Sequence, residues 1–313
     1  MRRILVILAA IFFDTLLGDP PNRWHPVAWM GQFIAWGQRR APESQTSPFR
    51  SFLYGLGLML AGCAGLWGIG ASLVRLIGFM PSFMGVVIEG IILKTTFSLR
   101  GLSRAAAQVE QALARDALPA ARHWLAWHLV SRDTQRLNES EVAAATIESI
   151  AENASDGVIA PLFYYTLGGL PAALVYRFCN TADAMLGYRD PAREWLGKAP
   201  ARMDDVANFI PARMTAIALI VGAFLFRGDA DRAWRIWRRD ARRTASPNAG
   251  HPMSAMSGAV GVRLEKSGSY VLGEGLRPPH SSDILVAIRL LYQAVMIAVA
   301  GFSVWRLLFP QQD

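Results

Sequence analysis

The chain has 313 residues, of which 52% are hydrophobic and only 18% charged, and it carries a formal net charge of +8. A soluble domain carries about 25% charged residues, so this balance, with a mean hydropathy of +0.24, excludes an ordinary soluble chain and points to a polytopic, all-α membrane protein. The only cysteines, Cys63 and Cys179, lie in or at the end of apolar runs, which implies neither a disulfide framework nor a zinc site.

In chain order, the apolar stretch from Ile4 to Leu17 is too short to span a bilayer and contains Asp14, so it reads as an interfacial or protein-buried helix. No small-residue cleavage site precedes the acidic turn that follows, so a cleaved signal peptide is the minor reading. Residues 53–74 are uncharged and rich in Gly, Ala and Leu, which suits a transmembrane helix with close helix contacts. Residues 79–99 pair with them as a hairpin but hold Glu89 and Lys94. Those charges are costly in lipid and must face protein, water or each other, and their i, i+5 spacing does not make them a good pair. The connection over 100–156 reads as soluble-looking helices at 101–129 and 139–153, the latter starting at Ser140 and Glu141. Further spans are predicted at 157–178, 206–226 and 284–309, the last carrying Arg289, giving about five in all. The basic stripe at 229–243, with Trp234 and Trp237, resembles a membrane-surface helix that contacts anionic lipid.

The arginines set the orientation. Seven lie in 227–243 and six in 100–145, and both stretches read as cytoplasmic, as does the N-terminal segment before residue 50. Five spans then place 179–205 outside despite its basic residues. A segment broken at Pro161, Gly168, Gly169 and Pro171 would keep that connection near the cytoplasmic side. The whole length reads as one membrane domain, with parts at 1–50, 53–99, 100–156, 157–226, 227–283 and 284–309. No nucleic-acid partner is expected.

The chemistry concentrates in residues 146–166, where Glu148, Glu152, Asn153 and Asp156 run into an apolar segment. Glu148 and Glu152 are spaced i, i+4 and share a helical face, and Asp156 continues the stripe. Like charges at that spacing cost a few tenths of a kcal/mol, so a cation, a basic substrate group or an Arg partner is expected to offset them. Around this stretch other motifs recur: Gly18-Asp19-Pro20-Pro21 with His25-Pro26-Val27, Arg132-Asp133-Thr134, residues 180–189 beginning Asn180-Thr181-Ala182-Asp183, Arg202-Met203-Asp204-Asp205 continuing to Arg213, and Ser246-Pro247-Asn248-Ala249-Gly250-His251-Pro252. In order and spacing, over essentially the whole chain, these resemble the CobD/CbiB family, the adenosylcobinamide-phosphate synthases of cobalamin biosynthesis. The family pattern has Leu and Ser where Ala182 and Ala184 stand, and Trp where His251 stands.

The resemblance implies a multi-pass inner-membrane enzyme whose site faces the cytoplasm. It would be an acid–amine ligase joining adenosylcobyric acid to (R)-1-aminopropan-2-ol phosphate, or to a related amino alcohol, to give adenosylcobinamide phosphate. ATP and Mg2+ are the implied cofactors, since a carboxylate does not condense with an amine in water unless activated, most simply as an acyl phosphate. Membrane lipids and later membrane enzymes of the pathway are the other implied partners. The alternatives are a regulatory protein of the AmpE type, a distant relative without ligase activity, or a transporter.

Phosphoryl chemistry asks for metal and Arg donors, and magnesium takes one or two carboxylates beside phosphate and water. Two carboxylate sets meet that demand: Glu148, Glu152 and Asp156, and Asp204 and Asp205 with Asn208. Asp183 is a third candidate. Glu152, Asp156, Asp183, Asp204 and Asp205 are the candidate metal ligands, and Glu148, Glu152, Asp205 and His25 the candidate catalytic residues. The plainer reading of both sets is buried pairing with Arg. Arg189, Arg202 and Arg213 suit bidentate phosphate binding, with Asp19, Asn180, Asn208 and Asn248 as further substrate contacts and Arg132 a weaker one. The Asn248-Ala249-Gly250 turn would present backbone N–H groups to phosphate. No Walker A pattern or dinucleotide glycine fingerprint occurs. His25 is either a base for the incoming amine or a structural residue. Tyr164 and Tyr165 read as interface anchors, and Trp24, Trp29 and Trp36 as a packing stripe rather than a corrin platform.

Overall fold

Helices account for most of the computed structural model, which describes residues 1–188, 190–191, 193–227 and 229–309. Arg189 lies outside the described residues. Four helical stretches are long and apolar enough to cross a membrane: Pro48–Gly78, Ser82–Leu113, Glu139–Leu186 and Ser281–Leu308. The bent pair Glu194–Ala207 and Phe209–Leu225 makes a fifth if counted as one span. The expected all-α membrane architecture is therefore present. The chain divides into two compact units interleaved along the sequence, one of residues 1–98, 160–208 and 302 onward, the other of 99–159 and 209–301.

The first unit contains α1 (Arg2–Leu17), α2 (Pro26–Gln38), α3 (Pro48–Gly78), α4 (Ser82–Lys94), α8 (Ala160–Leu186) and the start of α9 (Glu194–Arg227). α1 packs on α4 through the buried stripe Val6, Ile7, Ala10 and Asp14, at helical spacing, while Leu5, Leu8 and Phe12 on its other face are exposed, so of the two expected readings it is buried against protein on one face only. α3 lies along α8, and its glycines permit the approach. A Cβ on Gly70 would sit 2.7 Å from the Cα of Pro171. α8 is broken where the sequence places Gly and Pro. Gly169 has φ 68°, in the left-handed region that glycine enters without penalty, and Pro171 has no N–H to give the carbonyl of Leu167. Arg3 takes over, donating from Nη1 to the oxygens of Thr166 at 3.0 Å and Leu167 at 3.1 Å.

Glu89 and Lys94 on α4 both face protein, each with its own partners. Glu89 is 3% exposed; it accepts from the Tyr165 hydroxyl at 2.7 Å and pairs with Arg2 at 2.7 Å. Tyr165 is therefore buried, not an interface anchor. Lys94 turns to Asp14 and Asp19.

The second unit holds α5 (Leu99–Leu113), α6 (Leu118–His128), α7 (Glu139–Ala154), α10 (Ala230–Asp240), α11 (Gly250–Val260), a short antiparallel hairpin of β1 (Leu264–Lys266) and β2 (Tyr270–Leu272), and most of α12 (Ser281–Leu308). α7 is its central helix, packed by α5, α6, α11 and β1. It starts at Asn138, two residues before the expected Ser140. Asn138 Oδ1 accepts from the Glu141 N–H at 3.0 Å and Glu141 accepts from the Asn138 N–H at 2.8 Å, a reciprocal capping box that Ser140 is placed too late to form. A π-helical turn at Ser155–Ile159 follows α7. The hairpin is not expected from the sequence. It is anchored by fully buried Asp240, which accepts from the N–H of Gly273 at 2.7 Å.

Candidate functional site

In the second unit, one turn of α7 presents Glu148 and Glu152 to a cavity of about 280 Å3, also lined by Arg132, Ser149, Lys266 and Tyr270. Arg132 lies in the loop after α6 and Lys266 ends β1, so a loop and a hairpin both bring cations to the same carboxylate pair. Arg132 Nη2 lies 3.7 Å from Glu148 Oε2, and Glu148 Oε1 is buried without a hydrogen-bond partner. Burial, and then the charges of Glu148 and Glu152, push the Tyr270 phenol well above its usual range, so it stays a protonated donor. The like-charge cost of the stripe is thus offset by Arg132 and Lys266, and Arg132 matters more than its place in an Arg-Asp dipeptide suggests. Asp156 does not line this cavity. It belongs to the π turn, where more than 3.6 residues per turn rotate it off the face shared by Glu148 and Glu152.

The same unit gathers cations at the start of α11. Arg213 Nη1 donates to the Phe209 carbonyl at 2.6 Å and to Asn248 Oδ1 at 3.3 Å. The N–H groups of Asn248 and Ala249 donate to Ser246 Oγ at 3.2 and 3.3 Å, so the turn does not offer those two to a phosphate as expected. Trp237 Nε1 donates to His251 Nδ1 at 2.9 Å. Burial, and then the charges of Arg213 and Arg242, push the His251 imidazole down to about 4. It is neutral at physiological pH, with its proton on Nε2.

In the first unit the second acidic set is built on α8 and α9. Asp204 is 8% exposed, accepts from Asn208 at 2.9 Å and from Asn180 at 3.4 Å, and Asn208 Oδ1 in turn accepts from the Tyr176 hydroxyl at 2.7 Å. Asp183 and Asp205 lie within electrostatic reach of this carboxylate. Asp183 occupies the last turn of α8, where the helix dipole disfavours an anion by about 0.3–1 kcal/mol. No group of three His, Cys, Asp or Glu side chains among the described residues is arranged to hold a metal ion. The donor set fits a magnesium ion brought in on phosphate, which needs one or two carboxylates, better than a resident all-protein metal cage. Arg202 is exposed and stands 3.8 Å from Asp205.

Asp19 and His25 line a further cavity of this unit, about 380 Å3 in volume, together with Asn22, Ser98, Arg177 and Thr181. Lys94 Nζ donates to Asp19 Oδ1 at 2.6 Å and Ser98 Oγ donates to Oδ2 at 2.5 Å. His25 caps α2, its Nδ1 accepting the Val27 N–H at 3.2 Å, and its Nε2 stands 3.9 Å from Asp19. With Nδ1 so used, the proton sits on Nε2, and a base role would require His25 to release its cap.

Burial raises the Asp19 carboxyl, but hydrogen bonds from His25, Lys94 and Ser98 outweigh it and hold the group well below the usual carboxylate range. A depressed folded-state value contributes stability above the unfolded value, and that contribution is lost as pH falls through the folded one. Acid melts should therefore show wild type losing stability below about pH 4 by more than Asp19→Asn does. Superimposable acid limbs would remove this role from Asp19.

A family model described as CobD/Cbib protein matches residues 7–291. The chain is 38% identical over 299 residues, 96% of each chain, to "Cobalamin biosynthesis protein CobD" of Dehalococcoides mccartyi (strain CBDB1). It is 39% identical over 290 residues, 93% of each chain, to "Probable cobalamin biosynthesis protein CobD" of Methanothermobacter thermautotrophicus. A third relative, "Cobalamin biosynthesis protein CobD" of Klebsiella pneumoniae subsp. pneumoniae, is 36% identical over 308 residues, 96% of each chain. No solved structure matches the chain. On the strength of a match that runs through all the acidic and basic clusters above, the chain belongs to the CobD/CbiB family.

Proposed function

We propose that the chain is a multi-pass inner-membrane enzyme of cobalamin biosynthesis that joins the carboxylate of adenosylcobyric acid to the amine of an aminopropanol phosphate or close relative, with ATP driving the step through an acyl phosphate. The observation that carries this reading is the α7 cavity, where paired carboxylates face paired cations across about 280 Å3. That volume suits a small zwitterion and is far too small for a corrinoid. An amino-alcohol phosphate is complementary at both ends: its ammonium pairs with Glu148 and Glu152, and its phosphate with Arg132 and Lys266. Glu148 Oε1, buried without a partner, is placed to accept the proton that the amine must lose before attack. Attack on the acyl carbon then forms the C–N bond and releases phosphate.

Magnesium would neutralise charge on the transferring phosphoryl oxygens. Asp204, with Asp183 or Asp205 beside it, would hold it, Asn180 and Asn208 fixing the Asp204 carboxylate. The arginines of 100–145 and 227–243 support a cytoplasmic location for the chemistry.

The test is direct. Purified protein supplied with adenosylcobyric acid, aminopropanol phosphate, ATP and magnesium should yield adenosylcobinamide phosphate. No product from verified substrates and folded protein would end the ligase reading.

A further inference from the structure

Two arginines and a buried imidazole meet at the start of α11 with no anion among them. Arg213 Nη1 donates to Asn248 Oδ1, and the His251 backbone N–H donates to the Asn248 carbonyl at 3.0 Å, so Asn248 links Arg213 to the first turn of α11. Arg242 lies close enough for its charge, with that of Arg213, to bear on the His251 ring. Among the described residues no carboxylate pairs with either arginine. The nearest acid in sequence, Asp240, is committed to Arg239, Arg243 and the Gly273 N–H.

His251 is 8% exposed and its Nε2 has no hydrogen-bond partner. Because Nδ1 is the acceptor for Trp237, the orphaned atom is a donor. An unmatched buried donor is unfavourable, and adjacent like charges add to that cost. Each of these penalties disappears if one oxyanion occupies the site.

We infer that Arg213, Arg242 and His251, on the positive end of α11, bind a phosphate group. A tetrahedral oxyanion accepts from two guanidiniums and one neutral N–H at once, and α11, at eleven residues, adds the partial positive charge of its N-terminus. Since Ser246 occupies the N–H groups of Asn248 and Ala249, side chains supply the donors, unlike in a glycine-rich phosphate loop. Asn248 orients Arg213 and is a positioning residue. The site uses none of the residues to which the functional reading above gives a chemical role, and it rests on binding geometry alone, so absence of turnover would leave it standing. The phosphate group has two sources, a soluble phosphate compound or a lipid headgroup.

The experiment uses the full chain in phosphatidylcholine nanodiscs with 15N-labelled histidine. The chain has five histidines, and the Nε2–H resonance of His251 is assigned by its absence in His251→Phe. In one arm inorganic phosphate is titrated; in the other, phosphatidylcholine is exchanged for phosphatidylglycerol with no phosphate added. A saturable shift in the first arm identifies a soluble phosphate source, and a shift in the second a headgroup. In either case Arg242→Gln, at an exposed position, should weaken the response at least about tenfold, equivalent to about 1.4 kcal/mol. No shift in either arm, or a shift indifferent to Arg242→Gln, would overturn the site.

Discussion

Glu148→Gln is expected to lower amide formation by roughly two to three orders of magnitude, the loss typical of removing one charged group preorganised at a reacting centre. The substitution keeps the shape of a side chain that is 5% exposed in the middle of α7, so helix content and membrane insertion should not change. What it removes is the acceptor for the amine proton and the counter-charge to Arg132. Arg132 is 29% exposed at its side chain and retains access to water when its partner is neutralised. Glu152→Gln, at an exposed position on the same face, should mainly raise KM for the amino alcohol, because that carboxylate attracts the ammonium without being buried against it. Turnover by Glu148→Gln within a factor of about ten of wild type, in protein with an unchanged circular dichroism spectrum, would take Glu148 out of the chemistry.

Lys94→Met should destabilise the protein by about 3–5 kcal/mol, the penalty for stripping one partner from a buried ion pair. Lys94 is 4% exposed and Asp14 fully buried, with their charged atoms 3.9 Å apart, and Asp19 is 2.6 Å away. Methionine fills the space of the lysine stem but takes one cation from both Asp14 and Asp19. Ser98 still donates to Asp19. Adding Asp14→Asn to Lys94→Met should recover part of the stability, since the amide has no charge to compensate. Denaturant titration of the variants in detergent measures both effects. A loss below about 1 kcal/mol, the range of exposed pairs, would show that water reaches Lys94.

The helices were legible because apolar length and Gly-Pro placement are local properties. Residues 53–74 and 284–309 could be read as spans from composition alone, and the Gly169–Pro171 break from the two residues that cause it. Glu148 and Glu152 could be read as one face because α-helical spacing holds through α7. Asp156 could not, because nothing in its own sequence marks a π turn. The partners of the carboxylates were the larger omission. Arg132, Lys266 and Tyr270 reach α7 from a loop and a hairpin 16, 118 and 122 residues from Glu148 in the chain, and no periodicity spans such distances. One signal was available. The chain has only three lysines among its 32 basic residues, Lys94, Lys198 and Lys266, and two of the three occupy cavities or buried pairs. In a chain that otherwise uses arginine, a lysine was worth treating as a point charge placed for a purpose.

The interleaving of the two units constrains how the protein is made. The chain passes from one unit to the other after residues 98, 159, 208 and 301. As the ribosome delivers it, the first helices must wait in the membrane until 160–208 have been translated, and that unit is complete only when residues past 301 emerge. Such non-local closure slows folding and leaves unfinished helical surface exposed on the nascent chain. A premature stop anywhere before the last helix therefore leaves both units incomplete, so quality control would meet a wholly defective product rather than one sound half.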